Sequence, residues 1–341
     1  MKTSRSTIFG GALTLCASLI FVAAAHAQTD PLPSWNEGPA KQAIRDFVRV
    51  TTDKANLRYV PPPQRIATFD QDGTLWGEQP LYTQVAFAID RVKALAPKHP
   101  EWKTRQPFKA ILTGNRESLA GFSIQDFERV VAETHSGITI EEFHTVVKAW
   151  LATAKHPRFK RPYTELIYRP MLEVMRYLRV NGYKTYIVTG GGQEFVRVYA
   201  ETVYGVPPEQ VIGSAGKTKY EYSPAGKPVL VKLPEALLID DQGGKPEGIN
   251  LIIGRRPSAA FGNSTGDRQM LEYTGTGDGV RLMMLVLHDD APREYAYGPA
   301  RGLPDSKVGV FSQALFDEAT KKGWTVISMK NDWKNIFAWE E

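Results

Sequence analysis

The sequence predicts an α/β fold: a doubly wound, mainly parallel sheet with a helical segment inserted after its first strand. Three observations point there. Short apolar, β-prone runs at 65–69, 185–189 and 259–261 each end in a turn containing Asp or Gly. Amphipathic helical stretches follow such runs, which is the strand, turn, helix rhythm of a parallel sheet. The stretch from Tyr82 to Arg179, by contrast, carries only helical patterns.

In chain order, Pro31 to Trp35 is an extended lead-in, and residues 40–54 place Ile44, Phe47 and Val48 on one helical face. Pro61, Pro62 and Pro63 stiffen the approach to the first strand. Apolar stripes predict helices over 85–95, 123–134, 139–154 and 170–180. The second strand, 185–189, runs into Gly190, Gly191 and Gly192, and a helix is expected over 193–204. Residues 211–214 suggest another strand and 219–232 a β-hairpin. A helix opens near Lys245 and Pro246 and ends near Ile253, with Pro at an early helical position. A short strand at 259–261, a strand at 281–287, a helix at 311–322 and a strand at 325–328 complete the chain. The expected division is a leader at 1–27, a core from 28–80 and 180–341, and a helical cap at 81–179.

The first strand ends in Asp70, Gln71, Asp72, Gly73 and Thr74. Side chains two apart on a strand share a face, so both carboxylates can aim at one spot. Two carboxylates there are unfavourable unless they share a cation or divide a reaction between them. Gly73 permits a sharp turn that leaves backbone N–H groups free to meet an anion. Three further pieces follow in order: Thr189 before the glycines, Lys245 at a helix start, and the run Gly262, Asn263, Ser264, Thr265, Gly266, Asp267 after a short strand. Lys232 is a rival to Lys245, within the hairpin pattern.

Together these pieces, over roughly 65–270, resemble the signature of the haloacid dehalogenase superfamily, and within it the phosphoserine-phosphatase-like branch with a cap between the first and second motifs. The resemblance implies a phosphatase acting on small phosphomonoesters. Asp70 would be the nucleophile and form an aspartyl-phosphate. Asp72 would protonate the leaving alkoxide and then activate water. Thr189, Gly190, Gly73 and Thr74 would hold phosphoryl oxygens, and Lys245 would neutralise both nucleophile and phosphate. Mg²⁺ would bind Asp70, the Asp72 carbonyl, Asn263 and Asp267, as a hard cation preferring oxygen ligands. One departure stands out: the family usually has Asp where this chain has Asn263. That substitution removes one charge from the metal site, or shifts ligand duty to Asp267. Dehalogenases of the superfamily lack the second carboxylate, so Asp72 favours a phosphatase. Trp76, Glu78 and Tyr82 are expected near the entrance, where they would suit a cationic alcohol; the competing expectation for Trp76 is packing between cap and core.

Composition limits the alternatives. Lys2 and Arg5, an uncharged apolar stretch from Ile8 to Ala24, and the small-x-small run Ala25, His26, Ala27 predict an export signal with Gln28 as the new N-terminus. Cys16, the only cysteine, lies within it, so the remaining chain needs no disulfide and has no thiol chemistry. Loss of Lys2 and Arg5 would take two charges from a net +5, leaving +3, with no basic run dense enough for nucleic acid. His288, Asp289 and Asp290 form a competing metal-ligand cluster, or a strand end at the surface. The rival functional expectation is a non-catalytic binding protein whose metal site is weakened by Asn263.

Overall fold

The computed structural model describes residues 30–114, 122 and 124–340, so the predicted leader lies outside the described residues. One seven-stranded sheet organises the chain, in the order β4-β3-β2-β1-β5-β6-β7. The strands are β1 (Ile66–Phe69), β2 (Lys184–Gly192), β3 (Val211–Tyr222), β4 (Pro228–Leu238), β5 (Ala259–Gly262), β6 (Leu282–Leu287) and β7 (Thr325–Ser328). All pairings are parallel except β3 with β4. β1 lies between β2 and β5, so the chain winds outward from β1 in one direction and then the other. Ligands in such sheets bind at the carboxyl edge where the winding reverses, and Asp70 stands at that point.

The central strands β1, β5 and β6 are buried on both faces, and their period of two sorts side chains between two cores, whereas β4 and the second half of β3 are largely exposed. Phe69, Ile187, Phe261, Met284 and Val286 face one core, with Ile44, Phe47 and Val48 of the helix Pro39–Thr52 and Met171, Val174 and Leu178 of the helix Arg169–Val180. Val188, Ile212, Ala260, Leu285 and Leu287 face the other, with Ile249, Met270, Leu271 and Leu315. The Phe69 and Phe261 rings stack at 4.4 Å across the β1–β5 pair.

Between β1 and β2 lie the helices Thr83–Leu95, Phe108–Thr113, Ile124–His135, Ile140–Leu151 and Arg169–Val180. Ala88, Val92, Trp102, Phe108, Ile111 and Val130 form a small cluster of their own there. Thr139 caps Ile140–Leu151 through a reciprocal bond with Glu142. Among the described residues no helix is long and apolar enough to cross a membrane.

Three local expectations differ from what is seen. Residues 211–214 and the first half of the hairpin form one strand, β3, and β4 runs on to Leu238. The helix expected over 193–204 is two short ones, Gln193–Arg197 and Ala200–Tyr204. The break falls where Tyr199 turns inward to stack on Trp76 at 4.9 Å, a tertiary contact that local periodicity does not encode. The helix Phe108–Thr113 is too short to show a stripe.

Candidate active site

Asp70 directly follows β1, with its backbone N–H donating to Phe261 O at 2.9 Å, so the sheet itself fixes where the carboxylate starts. The chain then turns tightly: Gln71 O accepts from Thr74 N (3.1 Å) and Leu75 N (2.8 Å). Gly73 sits at φ +76°, and a Cβ on it would overlap Asn263 Nδ2 and come within 2.6 Å of Glu78 Cδ. Glycine is therefore required here both for backbone conformation and for space.

Lys245, second residue of the helix Gly244–Ile253, reaches into this turn and is buried. Its Nζ donates to Asp70 Oδ1 (2.6 Å), Asp267 Oδ1 (2.6 Å) and Val188 O (2.9 Å). An ammonium has three donors, so all three have protein partners. Burial pulls the Lys245 pKa down, but Asp267, then Asp70 and Asp240, outweigh it and hold the group charged. Lys232 is elsewhere, its Nζ 4.6 Å from the centre of the Phe143 ring.

Asp267 Oδ2 accepts from Asn263 N (2.9 Å) and Ser264 N (3.0 Å). Both its oxygens are thus engaged, one by Lys245 and one by the loop's own amides. Asp267, expected as a metal ligand, is placed here to fix the loop and to anchor Lys245. Asn263 is fully buried. Its Oδ1 accepts from Thr74 Oγ1 at 3.2 Å, and its Nδ2 donates to Glu78 Oε1 at 2.7 Å.

Asp72 is half-buried on the open side of the turn. Desolvation raises its pKa to about 6, against the hydrogen bond from Trp76 and the more distant charge of Lys245. The Trp76 bond, Nε1 to Asp72 Oδ1, is 2.6 Å. Burial, and after it the Asp267 charge, also push Asp70 upward against the pull of Lys245. Glu78 is pushed up by burial despite the bond from Tyr297.

Thr189 is buried near the end of β2, and its Oγ1 accepts from Gly191 N at 3.0 Å. A Cβ on Gly191 would lie 3.3 Å from Thr189 Oγ1 and 3.7 Å from Asp72 Oδ2, so the glycine loop faces the Asp72 carboxylate. Gly190 borders Asp241. The next amide, Gly192 N, donates to Gln84 Oε1 at 2.6 Å, which brings the first inserted helix against the loop.

Trp76 and Glu78 do not line an entrance. Both are 1 % exposed; Trp76 packs on Tyr199, and Glu78 Oε1 accepts from Tyr297 OH (2.8 Å) as well as from Asn263. Tyr82 uses its hydroxyl to accept from Gly309 N at 3.1 Å. The His288, Asp289, Asp290 cluster is dispersed. Asp289 holds Ser328 and Lys330 N, Asp290 pairs with Arg293, and His288 turns into the core. His288 Nε2 donates to Gly73 O at 2.8 Å, and its Nδ1 lies 3.2 Å from Glu294 Oε2. That support of the Asp70–Asp72 turn was missed at the level of sequence. The available signal was position: His288 follows β6 as Asp70 follows β1, at the same sheet edge.

Around Lys245, then, Asp70, Asp72, Asp240 and Asp267 gather, with Glu78 beyond Asp70 and Asp72, and their carboxyl groups outnumber the ammonium. Among the described residues no group of three His, Cys, Asp or Glu side chains is arranged as a metal cluster. The ligands that the resemblance implies are one carboxylate, a backbone carbonyl and an amide, from Asp70, Asp72 and Asn263, and Asp70 and Asn263 are both buried at this edge. The excess of buried carboxyl groups and this oxygen-only donor set fit a divalent cation such as Mg²⁺.

Residues 67–272 match the family described as haloacid dehalogenase-like hydrolase. No curated protein matches the chain. A solved structure of a conserved, functionally unknown protein from Anaerococcus prevotii is similar with TM-score 0.51 and 16 % identity, over 87 % of this chain and 94 % of that one. One from Bordetella pertussis, also of unknown function, gives TM-score 0.48 and 18 % identity over 77 % and 98 %. Cytosolic 5'-nucleotidase IIIB bound to cytidine gives 0.42 and 12 % over 85 % and 84 %. The first of these likenesses shows a shared fold. The family match spans more than half of the chain and contains all four motifs at one sheet edge, and the chain belongs to the haloacid dehalogenase-like hydrolases.

Proposed function

We propose that this protein is a divalent-cation-dependent phosphatase that hydrolyses small phosphomonoesters through an aspartyl-phosphate on Asp70. The observation that carries this reading is the contrast between two neighbouring carboxylates. Asp70 is buried and clamped by Lys245 at 2.6 Å, whereas Asp72, half-buried and bonded to Trp76 instead of a cation, is pushed by desolvation to about 6. Environments that separate two carboxylates in this way assign them different roles.

Asp70, held by Lys245 and the β1 terminus, is oriented to attack phosphorus with its other oxygen. Asp72 is close enough to neutral pH in its titration to give a proton to the leaving oxygen and to take one from the water that cleaves the acyl-phosphate. Thr189 and the amides of the glycine loop and of Gly73 and Thr74 offer donors to phosphoryl oxygens. Lys245 acts by holding Asp70 and Asp267, since all three of its donors meet protein groups. Asp70, the Asp72 carbonyl and Asn263 would hold Mg²⁺, which when bound supplies positive charge against the phosphate and relieves the carboxylate excess. The composition of residues 1–27 supports the further proposal that the enzyme is exported.

The test is hydrolysis of p-nitrophenyl phosphate with Mg²⁺, with EDTA, and by Asp70→Asn. Turnover that depends on the metal and falls by at least about a thousandfold in Asp70→Asn is expected, since loss of a covalent nucleophile removes the pathway. Absence of turnover by the wild type across several phosphomonoesters and pH values would refute the reading and favour a non-catalytic binding protein.

A further inference from the structure

Asn263 stands where a carboxylate is expected, yet a carboxylate is present one hydrogen bond away. Glu78 is 1 % exposed, and its Oε1 lies 2.7 Å from Asn263 Nδ2. Space has been made for it from two sides. Gly73 has no side chain, and one there would overlap Asn263 Nδ2 and Glu78. Gly309, at φ +63°, leaves the opposite side open, and a Cβ on it would overlap Glu78 Oε1. Tyr297 OH fixes the same oxygen at 2.8 Å.

A carboxylate accepts and does not donate, so this contact also sets the amide. The Asn263 N–H₂ must face Glu78, and Oδ1 must face the Asp70–Asp72 turn, where Thr74 Oγ1 meets it at 3.2 Å. An Asp at position 263 would place two carboxylates in contact. With Asn there, the contact becomes a charge-assisted hydrogen bond.

We propose that Glu78 and Asn263 act as one unit toward the divalent cation, Asn263 giving the neutral oxygen ligand and Glu78 the negative charge behind it. Glu78 is therefore a positioning residue of the metal site rather than a substrate contact. It works as outer-shell carboxylates do when they orient and polarise a ligand, where removal weakens metal affinity by about 10–100-fold. This inference rests on the metal-dependent reading above.

The test is Mn²⁺ binding to the metal-stripped protein, followed by isothermal titration calorimetry and by the electron paramagnetic resonance of free Mn²⁺. Glu78→Gln is expected to weaken binding by about 10–100-fold. The reversed pair, Glu78→Gln with Asn263→Asp, keeps the hydrogen bond with donor and acceptor exchanged and returns the charge. It is expected to recover most of the lost affinity, which a purely structural role for Glu78 does not predict. Thermal unfolding in EDTA checks that each variant is folded. If Glu78→Gln alone does not fold, Glu78→Asp, which withdraws the carboxylate from Asn263 by one methylene, takes its place: weakened binding supports the proposal and unchanged binding overturns it. Unchanged affinity in folded Glu78→Gln, or a reversed pair that binds no better than Glu78→Gln, also overturns it while leaving the catalytic reading intact. A wild type that binds no Mn²⁺ sinks the metal-dependent reading itself.

Discussion

Lys245→Met tests the electrostatic centre of the site. The substitution keeps an unbranched side chain one atom shorter and removes the charge, leaving Asp70 and Asp267 without the ammonium that lies 2.6 Å from each. At an effective dielectric near 20, each contact has a Coulomb attraction of about 6 kcal/mol. Desolvation of the three groups offsets most of that, and removing one partner of a buried pair costs about 3–5 kcal/mol. At about 2 °C per kcal/mol for a chain of this size, the melting temperature should fall by roughly 6–10 °C. The loss should depend on pH. A carboxyl group whose pKa is higher in the folded than in the unfolded state favours folding at low pH and opposes it above. Asp70 is already such a group, and without Lys245 its pKa rises further. The gap between wild type and variant should therefore be larger at high pH and should narrow as the pH falls through the raised titration of Asp70. Thermal or urea unfolding in EDTA at pH 8 and pH 5 measures both quantities. A variant as stable as wild type at pH 8, or a gap that widens in acid, would refute the reasoning.

Other consequences are simpler to state. Trp76→Phe keeps an aromatic ring against Tyr199 but removes the N–H that lowers the Asp72 pKa. A hydrogen bond to a charged group is worth about 1.5–3 kcal/mol, so the Asp72 titration should rise by about one to two units. As the leaving group needs the protonated form, the alkaline limb of kcat/KM against pH should move up; a downward shift contradicts the role. Gly73→Ala meets both a positive φ and the Glu78–Asn263 pair, and should lose about 2–5 kcal/mol by denaturant midpoint. His288→Phe leaves Gly73 O without its donor in the core, which should cost about 1–3 kcal/mol and reduce kcat more than KM in steady-state kinetics.

Much of the site was legible because its parts sit next to strong local signals. Asp70 ends an apolar run, Thr189 precedes three glycines, and Asn263 and Asp267 follow a short strand; periodicity places all of them at one edge. The division of labour within the loop was not legible. Spacing alone cannot say that Asp267 turns one oxygen to Lys245 and the other to two backbone amides. Nor could it separate His288 from Asp289 and Asp290, adjacent residues with three unrelated partners.

The amino-acid sequence by itself determined the main strands and the order of the motifs, because strand periodicity and residue chemistry are local properties; the charge missing at position 263 is visible only against the pattern of the family it resembles. Only the tertiary structure decided which carboxyl group stands beside Asn263. Asn263 and Glu78 are far apart along the chain, and Tyr297 and Gly309 are farther still. What brings them within a hydrogen bond is the winding of the sheet around β1, which no local pattern records.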